Sequence, residues 1–308
     1  MTTAEDDLGL FGPGSVTWKV HAEPIFALGG LRSLYLQALH PRAVAGVVQN
    51  SGYKKDLWGR LVRTSSYVGT VLYGTTADAE RAGARVRAIH SRLTGTDAAT
   101  GDRFRVDEPD LLRWVHVTEV ESFVSSAVRA GLKLTPAEHD AYFHEQRRAA
   151  ALVGLDPTTV PGSKDEVEDY YTAMRPHLAM TKDAAEAAVF LSVPPMPWGL
   201  GLTPARGMML GLSALAVGLL PPWARRLYGL PVLAAADLVT SVNTRMLGAA
   251  LRALPRRYLS GPIYKDAMRR VAKAQSGGED PAGARKVRST ALHGSGTGTS
   301  AAAEHDRR

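Results

Sequence analysis

Seven polar side chains fall inside or beside otherwise apolar helical patterns, and their types suit chemistry at a bound metal or cofactor. They are His40, Arg60, Arg63, Thr64, His90, His116 and Thr118. Imidazole is the commonest protein ligand for metal ions, and it also transfers protons near neutral pH. Arginine binds anionic groups through paired charged hydrogen bonds. Each residue also has a structural interpretation, because a histidine can end a helix and an arginine can pair with a surface acid.

His90 lies on the apolar side of a predicted helix. In the segment AGARVRAIHSRLTG, residues 82–95, it shares a helical stripe with Val86, Ile89 and Leu93, while the arginines lie largely on the other side. A histidine that faces a core needs a partner. Two alternatives stay open, a core histidine satisfied by a hydrogen bond and a ligand of a metal ion or haem iron.

The composition limits which kinds of site are available. The chain has 308 residues, is 45% hydrophobic and contains no cysteine. It is therefore long and apolar enough for a large core, and it has no disulfide, zinc thiolate, iron–sulfur ligand or cysteine nucleophile. If a metal is bound, His, Asp, Glu, Tyr or Met must hold it.

The charge and the apolar runs indicate a globular protein of the cytoplasm. The net charge of +7 is spread along the predicted helices without interleaved aromatics, which gives nucleic-acid binding little support. The N-terminus begins acidic and lacks the apolar core of a secretory signal. The most apolar run, Met208–Leu220, is shorter than the roughly 20 residues that span a bilayer. It predicts a buried helix, with contact to a membrane surface as the alternative.

Spacing and capping signals predict about ten helices and no confident strand. Asp56 is the expected N-cap of a helix over 57–72, and Asp107 with Pro109 is expected to cap a helix over 111–130. Gly95 is expected to end the His90 helix. Capping boxes are expected at Thr135–Glu138 and Ser163–Glu166. A loop or short hairpin is expected at 96–107, and an irregular crossing at Pro194–Pro204.

This pattern predicts an all-α fold, with a single helical domain over residues 1–275 and a disordered tail over 276–308. No G-x-G-x-x-G, Walker, H-E-x-x-H or G-x-S-x-G motif is present. Rossmann, zinc-protease and α/β-hydrolase functions therefore lose their main supports.

Several short segments, in order, resemble one known family. They are GPGS at 12–15, GGLRSLYLQALHPRAVAGV at 29–47, RLVRT at 60–64, VLYGT at 71–75, RWVHVTEVES at 113–122 and LPPWARRLYGL at 220–230. Together with the His90 segment they are similar to the domain shared by latex clearing proteins (rubber oxygenases) and the ER-bound oxygenase of mycophenolic acid biosynthesis. The similarity runs from about residue 9 to about residue 274.

The resemblance implies a globin-like multi-helix bundle that encloses haem b, whose iron is held by one proximal histidine. It implies a haem-dependent oxygenase that acts with dioxygen on a hydrophobic small molecule, isoprenoid-like or a secondary metabolite, with an electron donor as a further partner. The proximal histidine maps best onto His90, with His116 as the other candidate. The family's Arg-x-x-Lys-Thr stretch over the haem matches Arg60, Arg63 and Thr64.

The chain also departs from the family pattern. Arg63 stands where the family has a distal lysine, so a lysine ligand is not carried over. No carboxylate occupies 37–41, where the family has a glutamate base, which leaves that role to His40 or to no residue and argues against rubber as the substrate. Thr118 matches a haem-pocket threonine. The alternative function is a non-catalytic helical protein that binds haem or lipid.

Overall fold

Local capping interactions place the ends of the long helices close to where the sequence predicts them. The side chains of Asp56 and Ser163 each accept a backbone N–H three residues ahead, and Thr135 forms a reciprocal capping box with Glu138. The structure, a computed structural model, describes residues 7–52, 55–196, 199 and 203–277. From residue 278 onward, the predicted disordered tail lies outside the described residues. The predicted irregular crossing at 194–204 lies partly outside them.

Fourteen α-helices, two short 3-10 helices and two strands occur in the described ranges. In chain order the α-helices are α1 (Val16–His21), α2 (Phe26–Ala38), α3 (Pro41–Asn50), α4 (Leu57–Tyr73), α5 (Thr76–His90), α6 (Pro109–Arg129), α7 (Pro136–Leu152), α8 (Lys164–Met174), α9 (Lys182–Ser192), α10 (Pro204–Gly218), α11 (Pro222–Leu227), α12 (Ala234–Ala253), α13 (Arg256–Leu259) and α14 (Pro262–Gly277). The strands are β1 (Thr94–Thr96) and β2 (Arg103–Arg105), and the 3-10 helices are Pro157–Thr159 and Arg175–His177. The all-α prediction is confirmed.

The main core lies between α2 and α6. Their facing side chains, among them Tyr35, Leu36, Trp114 and Val124, are fully buried. Gly29 allows the close approach, because a Cβ at this position would lie 3.1 Å from the Phe123 Cα atom. The α2–α6 pair is therefore the rigid centre on which the other helices pack.

Three local predictions are wrong. Gly95 does not end the His90 helix, which stops at His90 itself. Gly95 lies in β1, opposite Phe104, and the Phe104 ring packs where a Cβ would stand. Asp107 does not cap α6 either, because Glu108 precedes the helix and Asp107 accepts two hydrogen bonds from Arg105. Ile89 does not lie on a buried stripe but is exposed, because α5 packs through its N-terminal half, around Gly83.

The prediction of a buried helix over Met208–Leu220 is also wrong for most of its length. In α10 only Ser213 and Ala216 are buried, whereas Met208 and Leu210 are exposed. The helix rests one side against α2, α9 and α12 and leaves its other side uncovered. In the described part of the chain no helix is both long and apolar enough to cross a membrane.

A buried cation joins α2 to α6. Arg32 on α2 is 2% exposed and binds the Glu121 carboxylate of α6 with both terminal nitrogens. Its remaining N–H groups reach the Ser122 hydroxyl at 2.7 Å and the Leu219 carbonyl at 2.9 Å. Tyr171 of α8 donates to the same carboxylate at 3.2 Å. The Arg32 guanidinium therefore connects α2, α6 and the end of α10. The Glu121 carboxylate links α8 to this group through Tyr171.

Replacing Arg32 by methionine should lower the free energy of unfolding by about 3 kcal/mol or more, because it leaves Glu121 in the core without its cation. Urea unfolding at neutral pH measures this loss. The matched control is Arg81→Met, which removes an exposed ion pair with Asp78 and should cost less than about 1 kcal/mol. Equal small losses in both variants would contradict a structural role for the Arg32 pair.

Candidate functional site

One stripe of α4 carries three polar side chains that point the same way. Arg60, Thr64 and Tyr67 lie at i, i+4 and i+7, so they cover about 10 Å along one side of the helix. The helix packs mainly on α5 and α14, whereas α6 packs mainly on α2. The stripe is therefore positioned by α5 and α14, whereas the α6 residues of the site are positioned by α2.

At one end of this stripe Arg60 lies close to His90. Burial lowers the pKa of Arg60, and the neighbouring Arg63 lowers it further. No hydrogen bond or ion pair joins the Arg60 guanidinium to another described residue. Arg63 differs, because it is exposed and pairs with Asp56 at 3.0 Å. Of the two arginines, only Arg60 is a largely desolvated cation whose charge is left unmatched.

His90 is the last residue of α5, and its imidazole lies within electrostatic reach of this cation. Burial lowers the pKa of His90, the charge of Arg60 lowers it further, and that of Asp107 raises it. The Nδ1 atom is buried and has no hydrogen-bond partner in the described residues. Asp107 does not supply one, because Arg105 holds its carboxylate. The imidazole is therefore neutral at pH 7 and keeps an unsatisfied nitrogen.

At the other end of the stripe Tyr67 meets α6. Burial raises the pKa of Tyr67 to about 12, and the charge of Glu119 contributes. Glu119 is half-buried and has no hydrogen-bond or ion-pair partner in the described residues, and burial alone raises its pKa to about 7. One turn earlier, His116 is also half-buried, and burial lowers its pKa to about 4. Both side chains keep some accessible surface and are therefore not closed off in the core.

We call this set the α4–α6 site. It consists of Arg60, Thr64, Tyr67, His90, His116 and Glu119. Sequence reasoning missed two of its members, Tyr67 and Glu119. Helical spacing could have identified both residues. Tyr67 follows Arg60 by seven residues and Glu119 follows His116 by three, so each lies on the same helical face as its predicted neighbour. Thr64 is exposed on the α4 stripe between Arg60 and Tyr67.

Three predicted site residues lie apart from this set, and the exposed Arg63, which pairs with Asp56, is one of them. Thr118 is fully buried on another side of α6, and its hydroxyl donates to the carbonyls of Trp114 at 2.7 Å and Val115 at 3.0 Å. His40 is the N-cap of α3, where its Nδ1 accepts the Ala43 N–H at 3.4 Å. Their predicted roles at the cofactor stay predictions.

The surroundings of His40 differ from those of the α4–α6 site. Besides burial and its own backbone, the groups that shift the His40 pKa are Arg42, His177 and Asp97, and none of them belongs to the site. Burial is the largest cause and lowers the pKa, so the ring is neutral at pH 7. A neutral imidazole suits the N-cap position, because it accepts a hydrogen bond there.

The donor set can be tested for the group that a haem protein would hold. Haem offers a metal ion that takes a neutral imidazole and two carboxylates that take cations. The site presents one neutral imidazole with an unsatisfied nitrogen and one unmatched guanidinium beside it. In the described ranges no group of three or more His, Asp or Glu side chains is arranged to hold a metal ion by itself. These residues fit haem in the chemistry of their donors.

Comparison with known proteins identifies relatives of the chain. The family model described as "ER-bound oxygenase mpaB/B′/Rubber oxygenase, catalytic domain" matches residues 18–253. No curated protein matches the sequence. Among solved structures, a latex clearing protein in the closed state is similar with a TM-score of 0.52 and 17% sequence identity, covering 84% of this chain and 71% of that one. At that identity the structural likeness establishes the fold alone, and it agrees with the helical architecture.

The stability of the folded protein should reveal the shifted ionisation of Glu119. The pKa of Glu119 is about 7 in the folded protein and near the ordinary value of 4.5 in the unfolded chain. Between pH 4.5 and about pH 7 the folded protein therefore keeps a proton that the unfolded chain has lost. The contribution of this group to the free energy of unfolding therefore falls as pH rises from 4.5 to about 7. Glu119→Gln should gain about 2 kcal/mol over the wild type across that interval.

Urea unfolding of both proteins at several pH values measures this difference. The matched control is Glu168→Gln, which makes the same substitution at an exposed glutamate of α8 and should change the free energy of unfolding by less than about 1 kcal/mol. His116 acts in the opposite sense, because its folded pKa is lowered and its contribution to stability rises with pH, so only the difference between variants isolates Glu119. A Glu119→Gln difference that does not change with pH would show an ordinary carboxyl pKa.

Proposed function

The chain belongs to the family of the ER-bound oxygenase mpaB/B′ and rubber oxygenase catalytic domains, and on that premise we propose that it binds haem b in the α4–α6 site and oxidises a hydrophobic small molecule with dioxygen. The family is one of oxygenases. The observation that carries the finer proposal is the pairing of Arg60, an unmatched and desolvated cation, with His90, whose buried Nδ1 has no partner. When bound, haem supplies the oxidising chemistry, which protein side chains lack.

His90 is the proposed axial ligand. Because burial and Arg60 both lower its pKa, the imidazole is unprotonated at pH 7 and has a lone pair available for a metal. His116 is the alternative ligand, since it is also neutral and lies on the opposite helix of the same site. Arg60 is the proposed partner of a propionate, and this pairing would offset the cost of keeping its charge out of water.

The α6 end of the site supplies exchangeable protons. Glu119 holds a proton on its carboxyl group below pH 7, and Tyr67 keeps its phenolic proton well above that. Both are therefore hydrogen-bond donors below about pH 7, and Thr64 adds a hydroxyl. Glu119 is the proposed proton-transfer group of this chain, in place of the carboxylate that 37–41 lack. In this proposal His40 caps α3 and takes no part in the reaction.

The proposed substrate is isoprenoid-like or a secondary metabolite of similar polarity. Its expected compartment is the cytoplasm, and an electron donor is an expected partner where the reaction consumes reducing equivalents. Below about pH 7 the Glu119 carboxyl and the His116 imidazole are both neutral, and this favours an uncharged ligand at the α6 end of the site.

An absorption spectrum of the full-length protein, produced with haem supplied, tests the cofactor and its ligand together. The wild type and His116→Ala should show the Soret band of bound haem, and His90→Ala should lose it. The reverse pattern would assign the ligand to His116. A colourless wild type, even after hemin is added to the purified protein, would contradict haem binding and leave the lipid-binding alternative.

The two arginines of α4 provide a matched pair for the propionate contact. Arg60→Met should weaken haem retention about tenfold to a hundredfold, because a charge-assisted hydrogen bond contributes about 1.5–3 kcal/mol. Arg63→Met removes only an exposed pair with Asp56 and should leave haem retention unchanged. The rate of haem transfer to an apo-globin acceptor measures both. Urea unfolding of the haem-free variants provides the control, since loss of an unmatched cation should not destabilise them. Equal haem loss from both would contradict the assignment.

A further inference from the structure

The exposed apolar side chains of the described chain are concentrated in one part of it. Of the nineteen large hydrophobic side chains that are exposed, ten lie in residues 230–259, which comprise α12 and its flanks. Scattered exposed apolar residues are normal on a protein surface, but a concentration in one segment marks an interaction site. This segment therefore needs a partner that accepts apolar side chains.

On α12 these residues form one continuous face. Leu238, Val239, Val242 and Met246 lie on the side opposite Thr244 and Gly248, which are buried against the rest of the protein. Gly248 packs on Ala130, and Thr240 packs on Gly218 of α10, so the buried side is fixed in place. We call the four exposed residues the α12 apolar face. It continues at both ends into exposed Leu233 and Leu254.

The same part of the chain carries nearly all of the protein's net charge. Residues 203–261 contain seven arginines and one acidic residue, Asp237, so they carry +6 of the total of +7. Asp237 is already paired with Arg225 at 2.8 Å. Arg206, Arg226 and Arg245 are exposed and form no ion pair with a described residue. The expectation that the net charge is spread along the helices is therefore wrong, because the remaining residues are nearly balanced.

From these observations we propose that the α12 apolar face, with its flanking arginines, docks the protein on the surface of an anionic lipid bilayer. An amphipathic helix with arginines beside an apolar face lies in the plane of a membrane, its apolar side among the acyl chains and its cations among anionic headgroups. Arg245 lies next to Met246 on α12, and Arg256 and Arg257 follow the end of the helix. Because α12 contains Asp237, Arg245 and Arg252, the helix would lie on the bilayer and not cross it.

The charge distribution favours a lipid surface over a second copy of this chain. A two-fold contact through the α12 apolar face would bring the arginines of both copies together, and Asp237, the one acid of the segment, is already engaged. Like charges at a contact oppose association, whereas a surface of anionic headgroups offers charges of the opposite sign. This inference does not depend on the proposed oxygenase function, and it concerns the haem-free and haem-bound protein alike.

Co-sedimentation of the purified full-length protein with vesicles tests the proposal. Vesicles of phosphatidylcholine with phosphatidylglycerol should bind the protein, vesicles of phosphatidylcholine alone should bind it much less, and high salt should release it. Met246→Asp should weaken binding at least tenfold, because it removes an exposed apolar side chain that the bilayer would cover and adds a charge that anionic headgroups repel. The matched control is Met180→Asp, which makes the same change at an exposed methionine outside the segment and should bind like the wild type.

A charge-reversal pair tests the role of the arginines separately. Arg245→Glu should weaken binding to anionic vesicles several-fold, whereas Arg85→Glu on α5 should have little effect. Light scattering of the same proteins without lipid reports their oligomeric state. Equal binding by Met246→Asp and Met180→Asp would overturn the proposal. Absence of vesicle binding, together with a wild-type dimer that Met246→Asp converts to a monomer, would assign the face to a second copy instead.

Discussion

The guanidinium of Arg32 determines how α6 is rotated about its own axis, and that rotation decides which residues reach the candidate site. Because Arg32 binds Glu121 and Ser122 from α2, this side of α6 is held toward the core. Thr118 and Trp114, one and two turns earlier, then face the same packed side and are fully buried. A buried cation tolerates little displacement, since losing a partner leaves a charge without solvation. The register of α6 is therefore fixed more firmly than apolar packing alone would fix it.

The consequence appears on the other side of α6. With Thr118 directed into the core, His116 and Glu119 are left to face away from it, and Tyr67 of α4 lies within electrostatic reach of Glu119. The α4–α6 site thus depends on two separate packings, α4 on α5 and α14, and α6 on α2. Among the site residues, Tyr67 also packs against the apolar cluster of Val71, Ala79 and Leu152. The apolar contacts of α4 and α6 hold the two helices in place, so Arg60, His90 and Glu119 can stay unsatisfied without loosening the fold.

Helices whose ends carry local capping residues could be predicted from the sequence, whereas the packing around those helices could not. Asp56, Thr135 and Ser163 cap the expected helices because a cap needs only a few adjacent residues. The exposed face of α10 could not be predicted in this way, since an apolar run is the same whether other helices cover it or not. Thr118 was placed at the site by resemblance, yet its hydroxyl bonds within its own helix. Glu119 was missed because a single glutamate between valine and threonine gives no sign of burial until the neighbouring helices are known.

The segment 37–41 holds no carboxylate where the family pattern has a glutamate base, and His40 there is occupied with capping α3. Glu119, which lies in the RWVHVTEVES segment of α6, is the proposed proton-transfer group, in a place where burial keeps it protonated up to about pH 7. A neutral carboxyl costs far less to keep beside an apolar ligand than an ionised one does, and it can still donate a proton. The proposed use of Glu119 therefore replaces a charged base with a neutral donor, which suits the uncharged substrate proposed for the site.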